Sequence, residues 1–235
     1  MIIGIAGNAN VGKDTLVNIF NYVDEVGYQN AKYREWLIKY TKYKPVKYKN
    51  VTHFADTLKD NIANIFNISR GLLDDRYYKD NLWFVPSTGE FISNEQSNKI
   101  LKITENNIYY YKHLPKEKYC IKLRQIIQLY AEEIKSLFGD DIWIKNTIDK
   151  ANNILNYEHQ KYCLIGDVRF PNEVNAIKKN NGIIIKITRK NNDIILNHCS
   201  ENNELDFDYI IENDNTLYDF YFKSLCIYQE TIKKL

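Results

Sequence analysis

The sequence predicts an α/β protein, a parallel sheet covered by helices and interrupted by an inserted subdomain. Three observations predict it. Short apolar runs of strand character alternate with helical segments at both ends of the chain, a glycine-rich loop joins the first run to the first helix, and the middle has a hairpin texture of its own. Strands joined through helices run parallel, because the crossover returns the chain to the same end of the sheet, and helices then cover both faces.

The elements follow in order. Ile2 to Ala6 is a β-rich run that stops at glycine, and Asp14 to Phe20 places Leu16, Val17, Ile19 and Phe20 at positions suited to a partly buried helix. Val51 to Phe54 reads as a second strand. The helix after it, Asp56 to Phe66, carries Leu58, Ile62, Ile65 and Phe66 at helical spacing. The alternation resumes late, with strands at Tyr162 to Ile165, Gly182 to Ile187 and Tyr209 to Ile211, and helices at Asn172 to Lys179, behind Pro171, and at Leu217 to Leu235. Between these halves, Leu82 to Ile92 reads as a hairpin around Pro86-Ser87-Thr88-Gly89, and Ile103 to Tyr111 is β-prone. Lys122 to Phe138 and Ile142 to Leu155 read as helices separated by Gly139-Asp140-Asp141, a stop and a cap. No long flexible linker and no repeat sets the middle apart, so residues 70–140 read as an insertion into one domain covering 1–235.

Composition narrows the function. The 235 residues carry Lys+Arg 32 against Asp+Glu 30, a formal net charge of +2, with 44% hydrophobic residues, which excludes a collagen-like, disordered or wholly membrane-spanning chain. A chain of this length buries roughly 70–75% of its unfolded surface, enough for one core with an insertion. The charge balance lacks the overall basic footprint of a dedicated nucleic-acid binder. One segment does interleave Lys32, Arg34, Lys39, Lys42, Lys44, Lys47 and Lys49 with tyrosines and Trp36, a pattern that can track a nucleic-acid backbone. A solvated helix and loop is the preferred reading, because the remaining surface carries compensating acid. The four cysteines, Cys120, Cys163, Cys199 and Cys226, lie far apart and read as free thiols. The apolar N-terminus is broken by Gly4 and Gly7 and reads as neither signal peptide nor membrane span, so the expected location is the cytoplasm.

The strongest chemical signal is Gly7-Asn8-Ala9-Asn10-Val11-Gly12-Lys13-Asp14-Thr15, a G-x-x-x-x-G-K loop between strand and helix. Its N–H groups and the helix N-terminus present positive dipole ends to phosphate oxygens, and Lys13 reaches the β- and γ-phosphates. Gly7, Asn10, Val11, Gly12, Lys13, Asp14 and Thr15 are therefore the expected ATP-binding residues. The strict motif has Ser or Thr directly after lysine to hold Mg2+; here Asp14 intervenes. A carboxylate beside a triphosphate is repelled unless it faces a cation or the second substrate, so Asp14 is a metal or acceptor-side candidate and Thr15 the other metal candidate. A first-turn acid that meets the helix dipole is the plain alternative for Asp14.

The second block, Ile165-Gly166-Asp167-Val168-Arg169-Phe170-Pro171-Asn172-Glu173, leaves a predicted strand at the end where open α/β sheets gather ligands. Asp167 can hold a magnesium-bound water and Arg169 can bind phosphate. A loop salt bridge is the plain alternative.

With GKDT at 12–15, HFADTLKD at 53–60, DDRYYK at 74–79, LRQIIQ at 123–128, DIW at 141–143, DVRFPNE at 167–173 and HCSE at 198–201, the sequence resembles the phage-type deoxynucleoside monophosphate kinases of the P-loop kinase fold. GKDT and DVRFPNE are the specific pieces. The resemblance implies a five-stranded parallel sheet, a lid that closes over both substrates, and transfer of the γ-phosphoryl group of ATP to a deoxynucleoside monophosphate. It places Lys59, Arg76 and Lys79 in the acceptor pocket, together with Asp56, Gln128, Asp167, Arg169, His198 and Glu201. Lys13, Arg124 and Arg169 are the leading cations, with Lys13, Asp14, Arg124 and Arg169 expected to be catalytic. Three departures stand out: Tyr130-Ala131-Glu132 replaces a Gly-Thr-acid stretch, Thr57 replaces a proline, and residues 28–50 are longer than is common. These bear on substrate preference more than on reaction class. The sequence leaves open a homodimer, a related kinase of another small phosphorylated acceptor such as phosphomevalonate, and a non-catalytic nucleotide-binding regulator.

Overall fold

The computed structural model describes residues 1–27, 33, 35, 48–103, 119–190 and 206–232. In chain order its elements are β1 (Ile2–Ala6), α1 (Lys13–Val26), β2 (Val51–Thr52), α2 (Asp56–Ile65), α3 (Arg70–Asp74), α4 (Arg76–Asn81), β3 (Leu82–Val85), β4 (Glu90–Ser93), β5 (Leu101–Ile103), β6 (Tyr119–Lys122), α5 (Leu123–Phe138), α6 (Ile142–Asn156), β7 (Cys163–Val168), α7 (Pro171–Lys179), β8 (Ile183–Thr188), β9 (Tyr209–Glu212) and α8 (Leu217–Thr231). They fall into two compact units, Met1–Phe54 with Ile144–Leu235, and Ala55–Trp143.

The first unit holds a five-stranded sheet in the order β2-β7-β1-β8-β9, with every neighbouring pair parallel. This is the expected P-loop kinase-type α/β architecture. β1 is buried along its whole length because helices cover both faces of the sheet, which is why its sequence is an unbroken apolar run. Its side chains alternate between two cores. Ile3 and Ile5 join Leu16, Ile19 and Phe20 of α1 and Phe220 and Tyr221 of α8. Ile2 and Ala6 join Ile148 and Ala151 of α6 and Val174 and Ile177 of α7.

The first core has a polar lock inside it. Tyr162 and Tyr228 both donate their hydroxyl hydrogens to the Asp24 carboxylate, and Phe20 meets both rings edge-on at 6.2 and 5.3 Å. Burial raises the pKa of Tyr162, which keeps it a neutral donor. Phe20 is fully buried, so Phe20→Ala would cost about 3–5 kcal/mol.

The second unit is built on a mixed four-stranded sheet, β4-β3-β6-β5, in which β3 is antiparallel to both neighbours and β5 is parallel to β6. The expected hairpin is present as β3 and β4, with Gly89 at φ 73 closing its turn. Leu58 and Ile62 of α2, Leu123 and Ile126 of α5, and Ile103 and Ile121 of the sheet share one core, and Trp143 packs at its edge.

Several details differ from the sequence reading. Residues 70–81 form two one-turn helices capped by the side chains of Ser69 and Asp75, which are too short to show apolar periodicity. Tyr119–Lys122 is a strand that pairs with distant segments, and the following helix therefore starts at Leu123. Most of the β-prone stretch 103–111 and of the basic segment 32–49 lies outside the described residues. Among the described residues no helix is long and apolar enough to cross a membrane.

Candidate active site

The glycine-rich loop leaves the C-terminal end of β1, and its glycines are placed where a side chain would collide. At Gly7 (φ +144) a Cβ would come within 2.5 Å of the Ile187 carbonyl oxygen at the end of β8. At Gly12 (φ +111) it would lie 2.7 Å from Nδ2 of Asn213. Asn10 takes the left-handed conformation at φ 63, and the buried Val11 side chain anchors the loop in the core. Gly12 caps α1 without any side-chain bond, and Leu16 is the first residue to close the helix ladder, onto the Gly12 carbonyl at 3.0 Å. The N–H groups of Lys13, Asp14 and Thr15 thus belong to the unladdered first turn, the part of a helix that attracts anions. Asn10, Gly12, Lys13, Asp14 and Thr15 line an open hollow there.

Lys13 folds back over the loop, donating from Nζ to the carbonyls of Gly7 and Asn8, each at 2.7 Å. Burial lowers its pKa, the Arg169 guanidinium lowers it further, and Asp14 and Asp167 act in the opposite sense. Lys13, Asp14, Asp167 and Arg169 therefore share one electrostatic neighbourhood in the first unit. Asp167 sits near the C-terminal end of β7 and accepts the backbone N–H of Phe54 at 3.1 Å. The His53 ring packs against Gly166, where an added Cβ would meet Nε2 at 2.7 Å.

Arg169 is exposed, but its backbone is held. The buried Glu173 carboxylate accepts the N–H groups of Arg169 and Phe170 at 2.6 and 2.9 Å, so one oxygen fixes the turn that presents the arginine. Burial pushes the Glu173 carboxyl up to about 7, against the pull of those two N–H donors. Glu173 was not singled out as a site residue in the sequence. A glutamate three residues beyond the helix cap was the available signal, since such a residue reaches back to the cap N–H.

The second unit gathers another set of expected residues. Lys79 has a lowered pKa, first through burial and then through the charges of Lys59 and Arg124, so three cations lie close together. Each of the other two meets an aspartate: Lys59 Nζ reaches Asp74 at 2.9 Å, and Arg124 makes a two-point contact with Asp80. Asp56 pairs with Arg70 at 2.8 Å, and Arg70 also bonds Asp60 and Asp74. Arg76 is largely exposed and approaches Asp80 only to 4.0 Å, and Gln128 is exposed one helical turn beyond Arg124. Arg70, Asp74 and Asp80 were not assigned roles in the sequence: the first two tie α3 to α2 and the third ties α4 to α5, and neither tie follows an apolar pattern. His198 and Glu201 lie outside the described residues.

No curated protein matches the chain. A family model does: the one described as Deoxynucleotide monophosphate kinase aligns with residues 1–224, nearly the whole length, including the 7–15 loop and the 167–173 turn. With the fold and the phosphate-type loop both in place, the chain belongs to the deoxynucleotide monophosphate kinase family.

Proposed function

We propose that this kinase holds ATP on the Gly7–Thr15 loop and receives the phosphate of its acceptor on the cations Lys59, Lys79 and Arg124, with residues 70–140 of one kinase domain serving as the acceptor-binding and lid part. The reaction follows from the family: ATP-dependent phosphorylation of a deoxynucleoside monophosphate to the diphosphate. Nothing favours a phosphomevalonate-type acceptor or a non-catalytic regulator. The observation that carries the residue assignment is the loop, where a glycine-capped helix start and a lysine bonded to the backbone carbonyls of Gly7 and Asn8 offer donors to a polyphosphate.

Phosphoryl transfer asks the protein for positioning and for positive charge around three phosphate oxygens, with water kept out. Lys13 supplies one charge after releasing the Gly7 and Asn8 carbonyls. Arg169, steadied by Glu173, supplies a second, and Arg124 a third. Asp14, Thr15 and Asp167 offer hard oxygen donors of the kind magnesium takes, and Asp14 and Asp167 both act on the Lys13 ammonium. Among the described residues no group of three or more His, Cys, Asp or Glu could hold a metal. Magnesium held through one or two carboxylates together with substrate phosphates and water needs no such group. Magnesium bound with ATP would neutralise phosphate charge. The cytoplasm, that of the host for a phage-encoded chain, supplies both substrates.

Release of ADP from ATP across a panel of deoxynucleoside and ribonucleoside monophosphates, with and without magnesium, tests this reading. Release that needs both magnesium and a deoxynucleoside monophosphate is expected. Equal ATP consumption with and without every acceptor would overturn it.

A further inference from the structure

The phosphate loop is tied to the far side of the sheet by a residue that carries no phosphate-binding chemistry of its own. Asn213 follows β9, and its Nδ2 donates to the Val11 carbonyl at 2.7 Å, across 202 positions of sequence. Its own backbone is fixed, because the Asn213 N–H donates to the Thr188 carbonyl at the end of β8 at 2.8 Å. The neighbouring Asp214 adds a second tie there, accepting the Lys190 N–H at 2.7 Å. The amide also crowds Gly12, whose φ of +111 already disfavours any other residue: a Cβ at that position would lie 2.7 Å from Nδ2, and Phe220 closes the same side at 3.5 Å.

A trans peptide is planar, and its C=O and N–H point in opposite directions. The carbonyl of Val11 and the N–H of Gly12 belong to one such plane. Holding the Val11 oxygen against Asn213 therefore turns the Gly12 N–H away from β9. Gly12 also lines the hollow with Asn10, Lys13, Asp14 and Thr15.

We propose that Asn213 is a positioning residue for ATP: by bonding the Val11 carbonyl it fixes the 11–12 peptide so that the Gly12 N–H faces the bound phosphates. This rests on the assignment of ATP to the Gly7–Thr15 loop. It extends that assignment to a residue that neither touches phosphate nor lies in any motif of the sequence. Without the tie, the peptide is free to rotate and present its carbonyl, a repulsive group, to a polyanion. The side chain must donate, so an isosteric carboxylate would be worse than no side chain at all.

The test is direct nucleotide binding to the whole protein, with Asn213→Ala and Asn213→Asp beside the wild type, by calorimetric titration with magnesium–ATP in the absence of acceptor. Thermal melts without nucleotide and steady-state KM values for both substrates accompany it. Loss of one phosphate hydrogen bond predicts a Kd for ATP raised about tenfold in Asn213→Ala and more in Asn213→Asp. The KM for the monophosphate should stay within twofold, and Tm within about 4 °C, of the wild type. Unchanged ATP affinity in either folded variant would overturn the proposal, as would KM values for both substrates rising in parallel with a fall in Tm. Wild-type protein that binds no ATP would overturn it together with the site assignment. Wild-type protein that binds ATP but phosphorylates no acceptor would leave it standing and remove the kinase reading alone.

Discussion

Arg124 and Asp80 meet edge to edge: Arg124 Nε donates to one carboxylate oxygen at 2.6 Å and Nη2 donates to the other at 3.1 Å. The hydrogen bond from Arg124 is the main reason the Asp80 carboxyl lies below the usual carboxylate range. The contact uses the Nε–Nη2 edge, so Asp80 holds the guanidinium plane at a set angle. A two-point contact restricts orientation in a way that a single lysine contact does not.

Asp80→Asn should lower kcat about tenfold with little change in the KM for ATP, because Arg124 loses its fixed plane while the loop at 7–15 is untouched. Both partners are more than a third exposed, so stability should change by less than about 1 kcal/mol. Steady-state kinetics and a thermal melt check this, and unchanged kcat would show that Asp80 does not orient Arg124.

Arg124 and Arg169 should divide the work. The turn carrying Arg169 is anchored by the buried Glu173, which suits ground-state binding, whereas Arg124 starts a helix of the other unit. Arg169→Ala is expected chiefly to raise the acceptor KM, and Arg124→Ala chiefly to lower kcat. Kinetics at saturating ATP with varied monophosphate decide it; the reverse pattern would reject the division.

Asp14 acts on the Lys13 ammonium, and it lies in the first turn of α1. Asp14→Asn should impair turnover more than stability, since the amide keeps local hydrogen bonding but loses the charge. A large drop in Tm with near-normal turnover would instead mark Asp14 as a partner of the helix dipole alone.

Glu173 gives a pH signature. Its carboxyl is held at about 7 in the folded protein, above the ordinary value of 4.5, so the folded state binds that proton more tightly than the unfolded chain does. The resulting stabilisation is fully present below the unfolded value and is lost as pH rises from about 4.5 through 7. Glu173→Gln removes the ionisation while retaining an acceptor oxygen for the Arg169 and Phe170 N–H groups. Tm of the nucleotide-free wild type should therefore fall relative to the variant across that range, and a constant difference would contradict the linkage.

What could be read from the sequence follows the range of the interactions. The succession of strands and helices along the chain was legible because β1 and α1 carry their burial in contiguous or periodic apolar residues. The 7–15 loop was legible because close backbone approach demands glycine at set spacing. Asn213 and Asp80 were not, since each acts through a partner far away in sequence: Asn213 reaches Val11 across 202 positions and Asp80 reaches Arg124 across 44. The 70–81 helices were missed for another reason. They are held by caps at Ser69 and Asp75 and by salt bridges rather than by an apolar stripe. The strand at Tyr119–Lys122 was hidden because its pairing, with β3 and β5, is non-local.

The central claim is direct transfer of the γ-phosphoryl group at the Gly7–Thr15 loop with Lys13 facing phosphate. It is tested most directly by a single-turnover reaction with γ-labelled ATP, excess enzyme and a deoxynucleoside monophosphate, comparing wild type with Lys13→Ala. The wild type should place the label in the deoxynucleoside diphosphate, whereas Lys13→Ala, folded and melting within about 4 °C of the wild type, should lose most of that transfer. Label recovered as inorganic phosphate, or transfer undiminished in Lys13→Ala, would contradict the account.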